Sequence, residues 1–492
     1  MAEIESGPDL LRSLGSLLSR DRDRVGPSVR GRRARERIER LAQQAPVPLP
    51  GLIEEILELA RDGMVQTNHP RYFGFFQPRV SLASVVADAI AAAFNPQLAS
   101  LPHSRAAAEI ESAALDMIAT RFGMSTEEHA VHFTSGGSEA TLTALLAALA
   151  RKIPGYIDRG VRAAPADPVI YASETAHDSI VKVARAAGLG GEAVRRIRAT
   201  SNDALDVRAL AEAVADDRSD SKLPLFVLAT AGTTVAGAID PLAEIGEVAD
   251  REGLWMHVDA AFGGIAAFSP RTRRLLVGIE RAISITFDAH KALPVSMAAG
   301  VLLCRDRPAV ESVFDLPALP YLPAGARRSK DPFRASLPWS RRFIGLKVFM
   351  TLVELGESGL SKSVEDLFDR GRDLRELLYR RGFKVANDSP LPIVCFTHPR
   401  IEKGDAPAHS VARRIWNRGR VFLSDARLRS QAVLRACIAN DRTDRADLDQ
   451  LVSEVERSLD ECAGAGATRE TSGKPAPSRG DGHLHPPRVT EQ

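Results

Sequence analysis

The sequence lacks the features that mark disulfide-rich, zinc-binding, nucleic-acid-binding and membrane proteins. It has four cysteines in 492 residues and no Cys-x-x-Cys pair, which predicts neither a disulfide framework nor a zinc site. A net charge of +2 gives no reason to expect a nucleic-acid partner. No apolar run is long enough to span a bilayer, and residues 1–19 lack the order of a signal peptide. We therefore expect a cytoplasmic protein with reduced thiols, no metal and no membrane partner.

What is present fits a globular protein of more than one domain. Hydrophobic residues make up 44% of the chain and charged residues 26%, and the length exceeds one simple core. Between residues 131 and 304, continuous apolar runs alternate with helical stretches. The β-like runs are residues 168–172, 225–230, 254–258, 283–287 and 298–303. This alternation predicts an α/β fold with a mostly parallel sheet covered on both faces.

The rest of the chain divides around this region. Residues 1–100 read as an N-terminal helical segment, and residues 101–341 as the large domain. Residues 342–463 begin with a long helical stretch and continue with short β-like runs, which indicates a smaller α+β domain. Residues 464–492 are rich in Gly, Pro, Ser and charge without periodicity, and we expect them to be disordered.

Two charged side chains follow apolar runs of the large domain. Asp259 ends the run 254–258, and Lys291 closes the tetrad Asp288-Ala289-His290-Lys291 after the run 283–287. A lysine that forms a Schiff base and a carboxylate that holds a pyridinium nitrogen are what pyridoxal phosphate (PLP) requires. A helix N-cap or a structural salt bridge is the alternative for Asp259. A buried structural lysine is rare, which favours a functional Lys291.

A loop of small residues, Ser135-Gly136-Gly137-Ser138, opens a strongly helical segment. Glycines allow close approach of the backbone to a ligand, and a helix N-terminus favours an anion. The loop therefore predicts a phosphate site, with an ordinary Ser N-cap and Gly turn as the alternative.

Two further loops follow β-like runs. His177 can stack on a flat heteroaromatic ring, although a lone histidine is more often structural. Thr233 and Thr234 can line a cofactor face, with a Gly-rich turn as the alternative. Ligands of such sheets bind at the carboxyl ends of the strands, so these separate signals converge on one cofactor site.

At this point the residues resemble the group II PLP-dependent decarboxylases, which include aromatic-L-amino-acid, histidine and glutamate decarboxylases. The resemblance extends from about residue 69 to residue 451. The matching motifs are Ser135-Gly136-Gly137-Ser138-Glu139-Ala140-Thr141, Ala176-His177-Asp178-Ser179, Ala231-Gly232-Thr233-Thr234, His257-Val258-Asp259-Ala260-Ala261 and Asp288-Ala289-His290-Lys291.

The resemblance implies the fold-type I PLP architecture with a seven-stranded sheet, and a homodimer whose active sites draw on both subunits. It implies a Lys291 Schiff base, His177 stacked on the ring and Asp259 at its nitrogen. The cofactor-binding residues that it implies are Ser135, Gly136, Gly137, Ser138, His177, Thr233, Thr234, Asp259, Ala261, His290 and Lys291.

The family also carries a mobile loop, here residues 316–336, in which Tyr321 matches the tyrosine that protonates Cα after decarboxylation. The expected function is thus PLP-dependent decarboxylation of an amino acid or an amino-acid conjugate. The alternatives on the same fold are an aldehyde synthase that couples decarboxylation to oxidative deamination, and a Cβ–S lyase of cysteine conjugates. A catalytically dead scaffold is a third reading. Tyr321 favours simple decarboxylation.

The sequence does not assign the substrate side chain. Phe75, Phe76 and Gln77 stand where an aromatic-amino-acid decarboxylase has Tyr, Phe and Pro, and Arg71 adds a nearby cation. We expect Phe75, Phe76 and Arg71 to bind substrate, with a solvent-facing Arg71 as the alternative.

Overall fold

The computed structural model describes residues 24–27, 31–43, 46–99, 104–314, 316 and 331–470. Tyr321 and most of the expected mobile loop, 316–336, lie outside these ranges. Within the described residues, no helix combines the length and the apolar character needed to cross a membrane. The chain forms two compact units.

The strands and helices alternate through the first unit, as the sequence predicts. The strands in chain order are β1 (Ala130–Thr134), β2 (Pro168–Ser173), β3 (Val194–Ile197), β4 (Leu223–Thr230), β5 (Trp255–Asp259), β6 (Ser284–Asp288), β7 (Gly300–Cys304), β8 (Lys384–Val385), β9 (Ile393–Thr397), β10 (Ser424–Leu428) and β11 (Gln431–Cys437). The helices are α1 (Gly31–Gln43), α2 (Leu49–Gly63), α3 (Leu82–Phe94), α4 (Arg105–Ala119), α5 (Gly137–Lys152), α6 (Tyr156–Arg159), α7 (Ser179–Ala186), α8 (Val207–Ser219), α9 (Leu242–Glu252), α10 (Pro270–Arg273), α11 (Ala289–Ala292), α12 (Arg307–Phe314), α13 (Gly345–Arg380), α14 (Pro399–Glu402), α15 (Ala408–Arg418) and α16 (Arg445–Glu470).

The large unit, whose described residues include Val80–Asp366 and Asp388–Leu391, is built on a seven-stranded sheet. The strand order is β1-β7-β6-β5-β4-β2-β3, and only β7 runs antiparallel to its neighbours. The expected α/β fold with a mostly parallel seven-stranded sheet is confirmed. The carboxyl ends of β1 to β6 therefore lie at one edge of the sheet, together with the amino end of β7.

Burial explains why most of these strands are visible in the sequence. Every residue of β6 and β7 is buried, and β4 is buried from Leu225 onward. Strands covered on both faces read as continuous apolar runs. The sequence missed β3, which carries Arg195 and Arg196 and forms an edge of the sheet, where polar side chains reach solvent.

Local chemistry sets several helix ends. The Ser81 hydroxyl accepts a hydrogen bond from the Ser84 N–H at the start of α3, and Asn95 ends this helix with a φ of 44°. Asp206 accepts hydrogen bonds from two backbone N–H groups at the start of α8. Side chains of these types satisfy the backbone groups that a helix end leaves unpaired.

The small unit comprises the described residues of Ser19–Arg79, Leu367–Asn387 and Pro392–Gln492. Its antiparallel sheet has the strand order β10-β11-β9-β8. Backbone hydrogen bonds join Phe73 to Phe422 and to Cys437, at 2.7 and 2.9 Å. This pairing explains why a segment that the sequence assigns to a separate N-terminal part belongs to the same unit as β11.

The change between the units and the end of the last helix also differ from the sequence-based divisions. Helix α13 contributes residues to both units, with the change at Asp366 rather than at residue 342, and it is interrupted at Gly356. Helix α16 ends at Glu470, inside the segment for which the sequence predicts disorder.

Candidate active site

The sheet edge gathers the sequence motifs of the large unit. The Ser-Gly-Gly-Ser loop follows β1, His177 follows β2, and Thr233 and Thr234 follow β4. Thr230, Asp259 and Thr286 are register partners across β4, β5 and β6. Lys291 lies in α11, directly after β6. Parallel pairing thus brings together motifs that lie far apart in sequence.

Helix α5 begins at this edge with uncapped backbone groups. Its N-cap residue, Gly136, has no side chain that could cap the helix. The Glu139 carboxylate instead accepts a hydrogen bond from the Ser135 N–H, at 2.8 Å. Ser135 and Ser138 are exposed, so their hydroxyls are accessible to a ligand. The arrangement suits an anion such as a phosphate group.

Gly300 is a residue of this site that the sequence analysis missed. A Cβ placed on Gly300 would lie 2.5 Å from Gly136 Cα and 2.6 Å from Thr134 Oγ1. Contacts this short force the backbone to move, so glycine at the start of β7 allows the loop after β1 its position. Only the pairing of β7 with β1 reveals this requirement.

Lys291 forms an ion pair with Asp288. Its Nζ lies 2.7 Å from Asp288 Oδ2, and its side chain is 31% exposed whereas that of Asp288 is 1% exposed. Asp288 Oδ1 is buried, and no described residue gives it a hydrogen bond. A Cβ placed on Gly137 would lie 3.2 Å from Asp288 Oδ2, so the carboxylate sits against the first residue of α5.

His290 is buried beside the same loop. Its Nδ1 accepts a hydrogen bond from the Ala299 N–H at 3.1 Å, which leaves Nε2 to carry the proton of the neutral ring. Burial lowers the pKa of His290 below its ordinary value. A Cβ on Gly136 would lie 3.8 Å from the ring, so His290 and the loop are neighbours.

Asp259 ends β5 half-buried. One carboxylate oxygen accepts a hydrogen bond from the Ala261 N–H at 3.0 Å. The backbone around it is held by two bonds, from Ala231 N–H to Asp259 O and from Asp288 N–H to Ala261 O, at 2.8 and 3.1 Å. These contacts fix the direction in which the carboxylate leaves the strand.

His177 is exposed on the loop after β2. Its Nδ1 accepts a hydrogen bond from the Ser179 N–H at 3.1 Å, which orients the ring. Arg196 forms an ion pair with Asp178 and donates to the Ser173 carbonyl at 3.2 Å. The loop that carries His177 is therefore tied to the edge strand β3.

The two threonines after β4 differ in their surroundings. Thr233 is buried, and its hydroxyl accepts a hydrogen bond from the Ala238 N–H at 3.0 Å, which closes the turn. Thr234 is half-buried. Its side chain is the more accessible of the two.

A buried polar network under the edge also escaped the sequence analysis. His257 Nδ1 lies 2.8 Å from Ser284 Oγ, and its Nε2 lies 3.1 Å from Thr286 Oγ1 and 3.4 Å from Thr141 Oγ1. Burial lowers the pKa of His257 to about 4, so the ring is neutral near neutral pH. The network joins α5, β5 and β6, and the only sequence signal was a histidine two residues before Asp259.

The predicted substrate residues belong to the small unit. Arg71 Nε lies 3.6 Å from Asp447 Oδ1, and the Arg71 side chain is largely buried, so it does not simply face solvent. The Arg435 guanidinium lies over the Phe76 ring, 4.9 Å from its centroid. Phe75 contacts Phe422 with ring centroids 6.5 Å apart. Their role in substrate binding stays a prediction.

The large-unit residues fit a PLP molecule. The uncapped N-terminus of α5 and two glycines provide a cradle for a phosphate, and Lys291 provides an amine at the same edge. Asp259 provides a carboxylate on the neighbouring strand. One buried oxygen of Asp288 without a partner further marks the edge as incomplete without a ligand or a proton.

Comparison with known proteins agrees with this chemistry. Residues 32–398 match the pyridoxal-dependent decarboxylase conserved domain. The chain is 29% identical to tyrosine decarboxylase 2 of Narcissus pseudonarcissus over 430 residues, which cover 83% of this chain and 84% of the relative. It is 30% identical to the acidic amino acid decarboxylase GADL1 of Mus musculus, with coverages of 82% and 76%.

A solved structure shows the same likeness. The Oryza sativa TDC with PLP and tryptamine is 25% identical and superposes with a TM-score of 0.83, covering 92% of this chain and 95% of that one. The expected cofactor and enzyme class are confirmed, and these relatives do not favour the oxidative or Cβ–S-cleaving alternatives. The chain therefore belongs to the pyridoxal-dependent decarboxylase family and is a PLP-dependent carboxy-lyase that acts on an amino-acid substrate.

Proposed function

We propose that Lys291 is the lysine that binds PLP covalently and that Asp259 holds the pyridine nitrogen protonated. The observation that carries this proposal is the position of both side chains at one edge of the parallel sheet, on β5 and directly after β6. When bound, PLP supplies an electron-poor ring that accepts the electron pair left by departing carbon dioxide. The Asp259 carboxylate keeps that ring electron-poor.

The remaining residues orient the ligand. Ser135, Gly136, Gly137 and Ser138 hold the phosphate through hydroxyl and backbone N–H groups, and the neutral His290 donates from Nε2. His177 would stack on one face of the ring, and Ala261 would pack against the other. Thr234 would lie beside the ring, whereas the Thr233 hydroxyl already accepts a hydrogen bond within the turn.

Tyr321 is the proposed proton donor to the substrate Cα after carbon dioxide leaves. It comes from the loop 316–336, most of which lies outside the described residues, so this role rests on the family motif. Tyr321→Phe would slow amine formation and, with dioxygen as the oxidant, raise the share of aldehyde product, because protonation of the substrate Cα would be delayed. Unchanged product and rate would remove Tyr321 from the mechanism.

The substrate is an amino acid or an amino-acid conjugate, with Phe75, Phe76 and Arg71 contributing to its recognition. Arg71 is held by Asp447, and Phe76 lies under Arg435, so both have fixed positions within their unit. The relatives named above act on tyrosine and on acidic amino acids, which leaves the side chain open.

The enzyme is proposed to be a homodimer with shared active sites. Helix α2 has no buried residue, and its Leu49, Ile53 and Ile56 are exposed at helical spacing, an apolar face that a second copy would cover. Light scattering of Ile53→Asp/Ile56→Asp against the wild type tests this. We expect the wild type to have the mass of a dimer and the double variant the mass of a monomer. A monomeric wild type would refute the proposal.

A cytoplasmic location is proposed from the cysteines. All four side chains are buried and none joins another in a disulfide. Burial raises the pKa of the Cys304 and Cys437 thiols to about 12, which keeps them protonated. Cell fractionation checks the location, and recovery of the protein outside the cytoplasm would contradict it.

A product screen with purified holoenzyme tests the chemistry. Amine with carbon dioxide is expected, whereas aldehyde with ammonia and peroxide, or thiol with pyruvate, would identify the other reactions of this fold. Borohydride reduction followed by mass spectrometry tests the lysine assignment. Wild-type protein should carry the cofactor on Lys291, and retention of the covalent cofactor by Lys291→Ala would refute this assignment.

A further inference from the structure

Asp288 is a buried carboxylate that the proposed roles leave unused. It is in direct contact with Lys291, since Oδ2 and Nζ lie 2.7 Å apart. Its other oxygen is buried without a hydrogen-bond donor among the described residues. His290 Nε2, at 3.9 Å from Oδ2, is too far for a hydrogen bond. An incompletely satisfied buried carboxylate is costly, which makes a role in proton transfer worth testing.

We propose that Asp288 is the base that takes the proton from the Lys291 ammonium when this lysine bonds to the aldehyde of the cofactor. The inference rests on the proposed role of Lys291. An ammonium has no electron pair for attack on a carbonyl carbon, so it must first lose a proton. Asp288 Oδ2 is the acceptor that the geometry supplies, and the contact needs no rearrangement.

The step balances without any further reactant. Lys291 gives one proton to Asp288 Oδ2 and keeps the electron pair on nitrogen. The free amine attacks the aldehyde carbon, a C=N bond forms, and the carbonyl oxygen leaves as water with the two remaining amine hydrogens. When a substrate amine later displaces Lys291, Asp288 returns the stored proton to the released amine.

The surroundings of Asp288 explain why it would keep the proton in the meantime. Once the amine has moved to the cofactor, the carboxylate loses the one cation that lies within hydrogen-bond distance of it among the described residues. Gly137, on which a Cβ would lie 3.2 Å from Asp288 Oδ2, is the first residue of the helix proposed to hold the phosphate. A charged carboxylate there would repel the phosphate, whereas a neutral carboxyl group would not.

The pH dependence of covalent capture provides the test. Cofactor-free protein is mixed with PLP, or with pyridoxal to separate the ionisation of the phosphate, and quenched with borohydride for intact mass analysis. With an internal base, the wild-type rate is expected to stay flat through the mildly alkaline range. In Asp288→Asn the proton must leave to solvent, so the rate should rise by about tenfold for each pH unit.

A matched control is available on α13. Lys362 and Asp366 form an ion pair of 3.0 Å on the exposed surface, and Asp366→Asn should leave the flat profile unchanged. A wild-type rate that rises about tenfold per unit would overturn the proposal even if Asp288→Asn fails to fold. A flat profile in a folded Asp288→Asn would overturn it as well.

Infrared difference spectra supply a second readout that needs no turnover. Loading the wild type with PLP should produce the carbonyl stretch of a protonated carboxylic acid, and Asp288→Asn should lack it. Absence of the band in the wild type would refute the proposal that Asp288 takes up the proton. Capture that persists in Lys291→Ala would instead refute the lysine assignment, so the two failures are distinguishable.

Discussion

Two buried aspartates of the large unit each hold a lysine, yet their surroundings differ. Asp217 is 0% exposed and lies 2.9 Å from Lys222 Nζ and 2.8 Å from Arg195, while its other oxygen accepts from the Tyr171 hydroxyl at 3.0 Å. Asp288 lies 2.7 Å from Lys291, and its second oxygen has no donor among the described residues. One carboxylate is fully paired and the other is half paired.

The number of hydrogen-bond partners distinguishes a carboxylate that stabilises the fold from one that can take part in the reaction. Burial works to raise the pKa of Asp217, but hydrogen bonds from Lys222, Arg195 and Tyr171 bring it below its ordinary value. That residue remains a permanent anion that ties β2, β3 and α8 together. Asp288 lies instead at the carboxyl end of its strand, where parallel sheets bind ligands. Incomplete pairing at such an edge indicates function.

Asp259→Asn should give the largest effect, because the Asp259 carboxylate at the same edge is proposed to hold the pyridine nitrogen protonated. We expect kcat to fall by about a thousandfold, equivalent to about 4 kcal/mol, since the ring nitrogen would lose its counter-charge. Steady-state kinetics and thermal unfolding are measured together. An unchanged kcat, or a loss of activity that merely follows unfolding, would contradict a chemical role for Asp259.

Asp217→Asn should lower the stability of the protein and leave its chemistry intact. Removing this anion leaves Arg195 and Lys222 without their shared partner, and we expect a loss of about 3 kcal/mol in the free energy of unfolding. Urea titration measures the loss. The folded fraction should still bind PLP covalently, and a variant that is stable but unable to do so would assign Asp217 to the site.

Acid stability tests whether the network under the edge is structural. The pKa of His257 falls from 6.5 to about 4 on burial, so the unfolded chain takes up a proton first as the pH falls. Its stabilising contribution is therefore present above about pH 6.5 and declines toward about pH 4. On lowering the pH from about 7 to 5, we expect His257 to reduce the free energy of unfolding by about 2 kcal/mol.

The check is the difference in unfolding free energy between these two pH values. It should shrink by about 2 kcal/mol in His257→Gln and stay the same in His409→Gln, whose histidine is exposed. Equal differences in the wild type and in His257→Gln would mean that the ring is not held neutral.

The smallest effect is expected at the exposed pair of Lys362 and Asp366. Asp366→Asn should change the free energy of unfolding by less than about 0.5 kcal/mol, because water screens and solvates both charges. Urea titration beside Asp217→Asn gives the contrast directly. A loss as large as that of the buried pair would show that burial is not what separates them.

The sequence predicted those parts of the site that depend on short stretches of neighbouring residues. Apolar runs placed β2, β4, β5 and β6, and the motif that follows each run pointed to the same sheet edge. The edge strand β3 was missed because its two adjacent arginines, Arg195 and Arg196, interrupt the apolar pattern. The charged strand β10, Ser424–Leu428, was missed for the same reason.

The sequence by itself determined the α/β alternation, the strand-end motifs and hence the family, since burial on both sheet faces writes continuous apolar runs into the chain. Only the tertiary structure decided which groups touch. Asp288 received no role from the sequence, Gly300 gave no sign of lying against Gly136, and residues 46–79 gave none of joining the unit of β11. Such contacts depend on strand register and on which atoms lose water, and neither is encoded within a few neighbouring residues.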